Sequence, residues 1–136
     1  IGSPDVSGVF RSQMGEDAMP KEAYDAAMNI HRPKMLEIYE TTFKANNLNA
    51  IIFPTTPLTA RNIGEDETVE LNGVQVPTFP TYIRNTDLGS NIGAPGISLP
   101  CNVGSDLPIG IEFEGMPGGD NELLSLSKSI EMTLTS

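Results

Sequence analysis

The residues able to carry chemistry in this sequence are few. His31 is the only histidine and Cys101 the only cysteine among 136 residues. One histidine cannot assemble a zinc site or a serine–histidine triad. The position of His31 on the apolar side of a helical pattern predicts a packed or hydrogen-bonded side chain. Cys101 has no basic neighbour in sequence to stabilise a thiolate, which predicts a buried, inert thiol.

One serine and two glutamates deserve comparison with catalytic patterns. Ser98 lies in a segment that resembles a nucleophile elbow, but Pro100 stands where the elbow requires glycine. Ser98 is therefore predicted to be an ordinary strand residue. Glu112 and Glu114 alternate with apolar residues and so share one strand face. Paired carboxylates can do acid–base work, although a solvated strand face is the favoured interpretation.

Two further stretches were candidates for binding phosphate or a cation. The glycine-rich run 115–119 lacks the lysine and the serine or threonine of a phosphate loop. The acidic run 65–67 is predicted to be a solvated loop rather than a calcium site. By residue type and spacing alone, the chain is expected to hold no catalytic constellation, no metal and no cofactor.

Composition narrows the class of protein. The formal net charge is -10 with only 8 basic residues, so nucleic acid is an unsuitable partner, because binding its backbone requires clustered Lys and Arg. The sequence lacks the roughly 18 consecutive apolar residues of a membrane helix. The length suits a single domain, residues 1–136. The first residues lack a start methionine, which predicts a piece of a longer protein, and the single cysteine suggests the cytoplasm.

The pattern of apolar residues predicts a chain of helices and short strands. Ser3 and Pro4 suit the start of a short helix to about Gln13, and a longer helix is expected from Met19 to Asn46–Asn47. Pro33 should interrupt that longer helix. The remaining predicted elements are a strand buried on both faces at 50–53, an exposed loop and hairpin at 61–80, strands at 96–99 and 109–113, and a last helix from Asp120.

The stretch from Tyr82 to Gly119 is rich in Gly and Pro. Gly89, Gly93 and Gly96 would let the backbone lie close to a ligand or to a neighbouring chain segment. This close approach is the first indication of function that the residues give.

Four motifs in register resemble the carboxy-terminal part of amidase-signature hydrolases. They are the segments 49–57, 91–100, 107–111 and 118–120, in an order and spacing that agree over nearly the whole chain. The segment 80–91 is similar to the branch of the family that contains mandelamide hydrolase and indoleacetamide hydrolase, which act on arylacetamide-type amides.

The resemblance implies an α/β fold, in which this chain supplies part of a mixed β-sheet flanked by helices. It implies hydrolysis of an amide to an acid and ammonia through a Ser, cis-Ser, Lys triad and an acyl-enzyme. The Gly- and Ser-rich signature that carries both serines is absent from this sequence. The triad is therefore expected upstream of Ile1, in the amino-terminal catalytic portion of the same enzyme, and the piece alone is expected to be inactive.

The resemblance also implies where the substrate lies. It places two segments near the pocket: the loop after the strand that ends in Phe53-Pro54-Thr55-Thr56-Pro57, and the segment before Asn91. An arylacetamide needs apolar walls, suited to Tyr82, Ile83 and Ile92, with a few polar contacts. The predicted substrate-binding residues are Thr55, Thr56, Tyr82, Ile83, Arg84, Thr86, Asn91 and Ile92.

A purely structural role stays open for two of these residues. The Asn91 side chain could serve only to hold the following turn through backbone hydrogen bonds. Arg84 could form a local ion pair with Asp87 rather than contact substrate.

A rival hypothesis is an autonomous, non-catalytic binding domain that keeps the fold without the chemistry. Such a domain should be monomeric with charged sheet edges. A piece of an enzyme should instead leave large apolar patches, covered by a partner or by contacts in a possible homodimer.

Overall fold

The computed structural model describes residues 3–15, 18–64, 66–101, 104 and 106–134. Packing divides the chain into two compact units, Ile1–Glu37 and Ile38–Ser136. The prediction of a single domain stays a prediction.

The first unit is helical. Helix α1 spans Pro4–Ser12 with the proline in its first turn, as predicted, although the hydroxyl of Ser3 makes no capping hydrogen bond in the described chain. Helix α2 spans Lys21–Ala26 and leads into a π-helical turn at Ala27–His31. The apolar side chains of α1 are largely exposed: Val6, Val9 and Phe10.

The π-helical turn has its cause in Pro33. Helix α3, Arg32–Asn46, follows the turn directly. Proline has no backbone N–H to donate to the carbonyl four residues earlier, so the regular ladder cannot continue through this point. The predicted interruption is confirmed. His31 lies in the turn and is exposed, so the packed alternative of its prediction is wrong, while the hydrogen-bonded alternative stays a prediction.

Helix α3 ends where Asn47 adopts the left-handed conformation with φ 52°. The N–H of Leu48 then donates to the carbonyl of Phe43 at 3.0 Å. This closing pattern satisfies the last carbonyls of the helix, and it confirms the predicted end at Asn46–Asn47.

The second unit is built on a three-stranded sheet in the order β1-β5-β4. The strands are β1 Ile51–Pro54, β4 Gly96–Cys101 and β5 Ile109–Glu114, with antiparallel pairing on both sides of β5. The expected α/β class, with a partial sheet flanked by helices, is confirmed. Cys101, at the end of β4, is free and only half-buried.

Strand β1 is an edge strand among the described residues. Ile52 in its middle is 59% exposed, so the prediction of a strand buried on both faces is wrong for this chain. An uninterrupted apolar run indicates that both faces can be covered, but the described residues cover only one of them.

The core lies on one face of the sheet. Leu99 of β4, Phe113 of β5 and Leu123 form its buried centre. Leu123 belongs to helix α6, Asp120–Leu134, which begins where the sequence predicts. Partly buried apolar side chains surround this centre: Ala50, Ile97, Ile111 and Ile130.

A two-stranded hairpin, β2 Thr68–Leu71 and β3 Val74–Pro77, confirms the Asn72–Gly73 signal. Both turn residues have positive φ, 53° and 81°, as the type I′ hairpin turn requires. The hairpin is mostly exposed, but Val69 is fully buried at 0% exposure.

Two short helices were not predicted. Helix α4 spans Thr78–Ile83 and helix α5 spans Asp87–Ile92. Each is too short to show a helical period, and α5 contains the helix-weakening Gly89. Helix α5 ends at Gly93, whose φ of 77° suits glycine.

In the part of the chain that the structure describes, no helix has the length and apolar character needed to cross a membrane.

Candidate functional site

The candidate site lies on the face of the sheet opposite the apolar core. Along β5, Gly110, Glu112 and Glu114 alternate with the core residues, so they share this other face. Ser98 of β4 pairs in register with Glu112. We call this surface the polar face.

Hydroxyl groups occupy one end of the polar face. Thr55 Oγ1 and Ser98 Oγ are hydrogen-bonded at 2.5 Å, and the Thr55 N–H donates to the Gly110 carbonyl at 3.0 Å. A Cβ on Gly110 would lie 2.5 Å from Ser98 Oγ, so glycine makes room for the pair. The partner of Ser98 is a hydroxyl, which is not a general base, so the strand-residue interpretation of Ser98 is supported.

The loop after β1 is held by short polar contacts. Asn85 Nδ2 donates to the Pro54 carbonyl at 2.8 Å, and the Tyr82 hydroxyl donates to the Thr59 carbonyl at 2.6 Å. Thr56 Oγ1 donates to the Leu58 carbonyl at 2.7 Å. Tyr82 and Thr56 thus both contact the loop after β1. Their contact with substrate stays a prediction.

Asn85 was not among the predicted substrate-binding residues. Its side chain nevertheless reaches β1, through the hydrogen bond to the Pro54 carbonyl. The signal in the sequence was its place beside Arg84 in the polar segment 84–91, which precedes β4.

Other predicted substrate residues lie on or beside α5. Asn91 Nδ2 donates to the Asp87 carbonyl at 2.8 Å, a contact within the helix that supports its local structural role. Thr86 Oγ1 donates to the Ile83 carbonyl at 3.2 Å. Ile92 is only 2% exposed, so it packs inside the chain. The substrate contacts of these residues stay predictions.

Arg84 is exposed, and among the described residues its suggested ion pair with Asp87 is not formed. The role of Arg84 as a polar contact for substrate stays a prediction.

The two glutamates of the polar face are buried. Glu112 is 9% and Glu114 5% exposed, so the prediction of a solvated strand face is wrong. The two carboxyl groups are buried because each lies against the backbone of a glycine. A Cβ on Gly96 would lie 2.4 Å from Glu112 Oε1, and one on Gly89 would lie 1.7 Å from Glu114 Oε2. The close approach predicted for these glycines is made to the chain's own carboxylates.

Helix α3 supplies a residue, Tyr39, that contacts the buried Glu114. The Tyr39 hydroxyl lies 3.0 Å from Glu114 Oε1 and 3.1 Å from the Gly115 carbonyl oxygen. Burial raises the pKa of Glu114, and the nearby charge of Glu112 raises it further, while the Tyr39 hydrogen bond opposes the change. Burial and Glu114 together raise the pKa of the Tyr39 phenol.

A shallow hollow lies in the loop after β1. It measures about 230 Å³ and is lined by residues 58–62, whereas ligand pockets usually span ~300–1,000 Å³. Within the described ranges, no group of three or more His, Cys, Asp or Glu side chains is placed to hold a metal ion.

Comparison with known proteins decides the family. The profile of the Amidase family matches residues 8–124. The chain belongs to the amidase family. Its motifs at 91–100 and 107–111, with the strands β4 and β5 that they form, lie within the matched region.

This amidase chain has close curated relatives. It is 41% identical over 132 residues to the indoleacetamide hydrolase of Rhizobium radiobacter, covering 96% of this chain and 28% of the relative. It is 39% identical over 147 residues to the mandelamide hydrolase of Pseudomonas putida, covering 98% of this chain and 27% of the relative. The chain thus spans less than a third of the length of these curated relatives.

Solved structures agree on the fold. The chain superposes on a crystal structure of an amidase with a TM-score of 0.78 and 26% identity, covering 97% of this chain and 29% of that one. A bacterial aryl acylamidase of the amidase-signature family matches with a TM-score of 0.54 and 20% identity, over 90% of this chain and 29% of that one. At this lower identity the second match concerns the fold alone.

Proposed function

We propose that this chain is the carboxy-terminal segment of an amidohydrolase that converts a small arylacetamide-type amide to the acid and ammonia. The observation that carries the proposal is the identity of about 40% to both an indoleacetamide and a mandelamide hydrolase, over nearly the whole chain. Both relatives are named for amides of an aryl-substituted acetic acid. We therefore infer that the enzyme to which this chain belongs acts on the same class of amides.

The catalytic groups are proposed to come from the rest of the enzyme. The chain covers about 28% of its curated relatives, and the paired-serine signature lies outside its sequence. We place the Ser, cis-Ser, Lys triad in the amino-terminal portion, which is the chain's proposed partner. The single cysteine is typical of a reducing compartment, and we place the enzyme in the cytoplasm.

The chain's own contribution is proposed to be the shape of the substrate pocket. The loop after β1 and the segment around α4 and α5 are fixed to each other by the Asn85–Pro54 and Tyr82–Thr59 hydrogen bonds. Rigid support of this kind holds a substrate in a reactive geometry. The side chains proposed to meet substrate are Thr55, Thr56, Tyr82, Ile83, Arg84, Thr86, Asn91 and Ile92.

The test is an assay of the whole encoded protein on matched amides. We expect release of ammonia from indole-3-acetamide, mandelamide and phenylacetamide, and much slower release from propionamide, which has no aryl group. Residues 1–136 alone should release none. Hydrolysis of propionamide at the rate of the aryl amides would contradict the substrate class, and activity of residues 1–136 alone would contradict the division of roles.

A second experiment tests the pocket. Thr86→Val and Ile83→Ala should change the ratio of kcat/KM between indole-3-acetamide and mandelamide, because they change the polar and apolar parts of the proposed wall. Ile63→Ala, a change at an exposed loop residue, is the control and should leave the ratio unchanged. An unchanged ratio in both pocket variants would show that these residues lie outside the pocket.

A further inference from the structure

The buried contact between Tyr39, Glu114 and Gly89 has no role in the function proposed above. These residues come from three separate elements, α3, β5 and α5. Glu114 is buried at 5% exposure and Tyr39 at 4%. Burial of a carboxyl group and a phenol is costly unless other contacts compensate for the lost water. The contacts of these two side chains therefore indicate what their burial is for.

The Tyr39 hydroxyl holds Glu114 at the end of β5. The Tyr39 oxygen lies within hydrogen-bond distance of both Glu114 Oε1 and the Gly115 carbonyl oxygen. A phenol has one proton, and both of these oxygens can accept it. The hydroxyl therefore ties the Glu114 carboxyl group to the backbone of the next residue and restricts where that carboxyl group can lie.

The neighbours of Glu114 come from each element packed against it. Among the described residues, the titratable groups that face it are Tyr39 from α3 and Glu112 from its own strand. Helix α5 presents Gly89, while β1 and β4 present Ile51 and Gly96 as the cross-strand neighbours. Burial and the nearby Glu112 carboxylate both raise the pKa of Glu114.

The other oxygen of Glu114 is the contact to α5. Its Oε2 occupies the place where a side chain at Gly89 would begin, because a Cβ there would lie only 1.7 Å away. Gly89 is itself buried in the middle of α5. The glutamate therefore seats directly on the helix backbone, and α5 carries or adjoins the predicted substrate residues Thr86, Asn91 and Ile92.

We propose that Glu114, held by Tyr39, is a positioning residue that fixes α5 on the sheet and thereby sets the geometry of the substrate-binding segment 82–92. The role in substrate binding rests on the proposed function, whereas the seating of α5 does not. Glu114 acts through the helix and does not itself touch the amide.

The first test uses hydrogen exchange in the whole encoded protein and needs no activity. Glu114→Ala should raise the exchange rates of the amides in α5 by about tenfold or more, because the helix loses its support. Glu114→Gln should keep them near the wild-type rates, since glutamine has the same length and its amide oxygen can accept the hydrogen bond from Tyr39. The control is Glu70→Ala, an exposed glutamate on the hairpin, which should leave α5 unchanged.

Two results would overturn the proposal. Exchange in α5 that is the same in Glu114→Ala as in the wild type would show that the glutamate does not seat the helix. A Glu114→Gln variant that behaves like Glu114→Ala would show that the length of the side chain and its contact with Tyr39 do not seat the helix.

A double-mutant cycle tests the contact itself. Gly89→Ala should lower the thermal midpoint strongly where Glu114 is present, and much less in the Glu114→Ala background, because the clash is removed. Equal effects in the two backgrounds would mean that Gly89 and Glu114 are not coupled.

Kinetics tests the consequence for substrate. Glu114→Ala should raise KM for the aryl amide about tenfold with a smaller change in kcat, as loss of substrate positioning in the ground state does, and Glu114→Gln should restore KM. If the protein hydrolyses no aryl amide, the proposed function fails, while the exchange and midpoint experiments still decide whether α5 is seated. If it hydrolyses the amide with unchanged KM in Glu114→Ala, the positioning role fails and the proposed function stands.

Discussion

At the scale of single residues, Glu114 combines burial, a phenol partner and a second carboxylate. Burial and Glu112 raise its pKa above the ordinary 4.5. The folded chain therefore holds this proton more tightly than the unfolded chain does. The contribution of this proton to the stability of the folded chain is present in full below the Glu114 pKa of the unfolded chain. It is lost as the pH rises through the Glu114 pKa of the folded chain.

This sign gives a testable pH dependence. The free energy of unfolding should fall as the pH rises above about 4.5, and Glu114→Gln should flatten that part of the curve because Gln does not titrate. Urea unfolding at a series of pH values from ~4 to ~8, which begins near the ordinary carboxyl pKa, measures this pH dependence. Glu70→Gln is the matched control and should leave the slope unchanged, whereas an identical slope in Glu114→Gln would contradict the assignment.

The hydroxyl pair at the other end of the polar face makes a second prediction. Gly110→Ala places a Cβ 2.5 Å from Ser98 Oγ and 2.9 Å from Thr55 Oγ1. We expect a loss of ~1–3 kcal/mol in the free energy of unfolding, as for other overpacked sites. In a Ser98→Gly background the loss should be smaller, and thermal or urea unfolding checks both. An equal loss with and without the Ser98 hydroxyl would rule out the steric explanation.

The sequence alone predicts the environment of Glu112 and Glu114 only in part. The alternation of Glu112 and Glu114 correctly indicates a shared strand face. It does not reveal that α5 and Tyr39 cover that face, because those segments lie 20 residues or more away in the chain and their packing has no local signature. The glycines at 89 and 96 carried the missing information, since each lies against one of the two carboxylates.

At the scale of elements, the strongest local signals were the most reliable. Pro4 marks the start of α1, Asp120 that of α6, and Asn72–Gly73 the hairpin turn. Helices α4 and α5 escaped prediction because six residues span less than two turns, too few for a period to show. Their formation depends on tertiary packing, which local propensity does not record.

The hairpin turn gives a prediction at this scale. Gly73 has φ 81° and open space around its Cα, so Gly73→Ala tests backbone conformation without a clash. We expect a cost of ~1–2 kcal/mol, the penalty of the left-handed region, seen as faster hydrogen exchange in β2 and β3. Asn72→Gly should be tolerated, since glycine adopts the same conformation. Unchanged exchange in Gly73→Ala would show that the hairpin does not depend on this turn.

At the scale of the whole molecule, exposed apolar side chains favour the segment of an enzyme over the autonomous domain. Ile52 is 59% exposed on the outer strand, and in α1 Val9 and Phe10 are 58% and 55% exposed. A monomeric domain is expected to show charged edges at such places. The rest of the enzyme, or a second copy of the chain, would cover these side chains.

Residues 1–136 in isolation should therefore bind a hydrophobic dye and self-associate. Light scattering after size-exclusion chromatography measures the association, and Phe10→Glu should weaken it by placing a charge on the apolar side of α1. Ile63→Glu is the control, because Ile63 is fully exposed in a loop at 105%. A monomer that binds no dye would support the autonomous domain instead.

The contact between Gly89 and Glu114 should also leave a trace in evolution. While a long acidic side chain stands at position 114, selection should reject every residue but glycine at position 89, because a Cβ has no space there. Descendants in which position 114 has become small are released from that restriction and are free to acquire alanine or serine at position 89. Coordinated change at this pair of sites would then distinguish lineages that keep the buried acid from those that have dispensed with it.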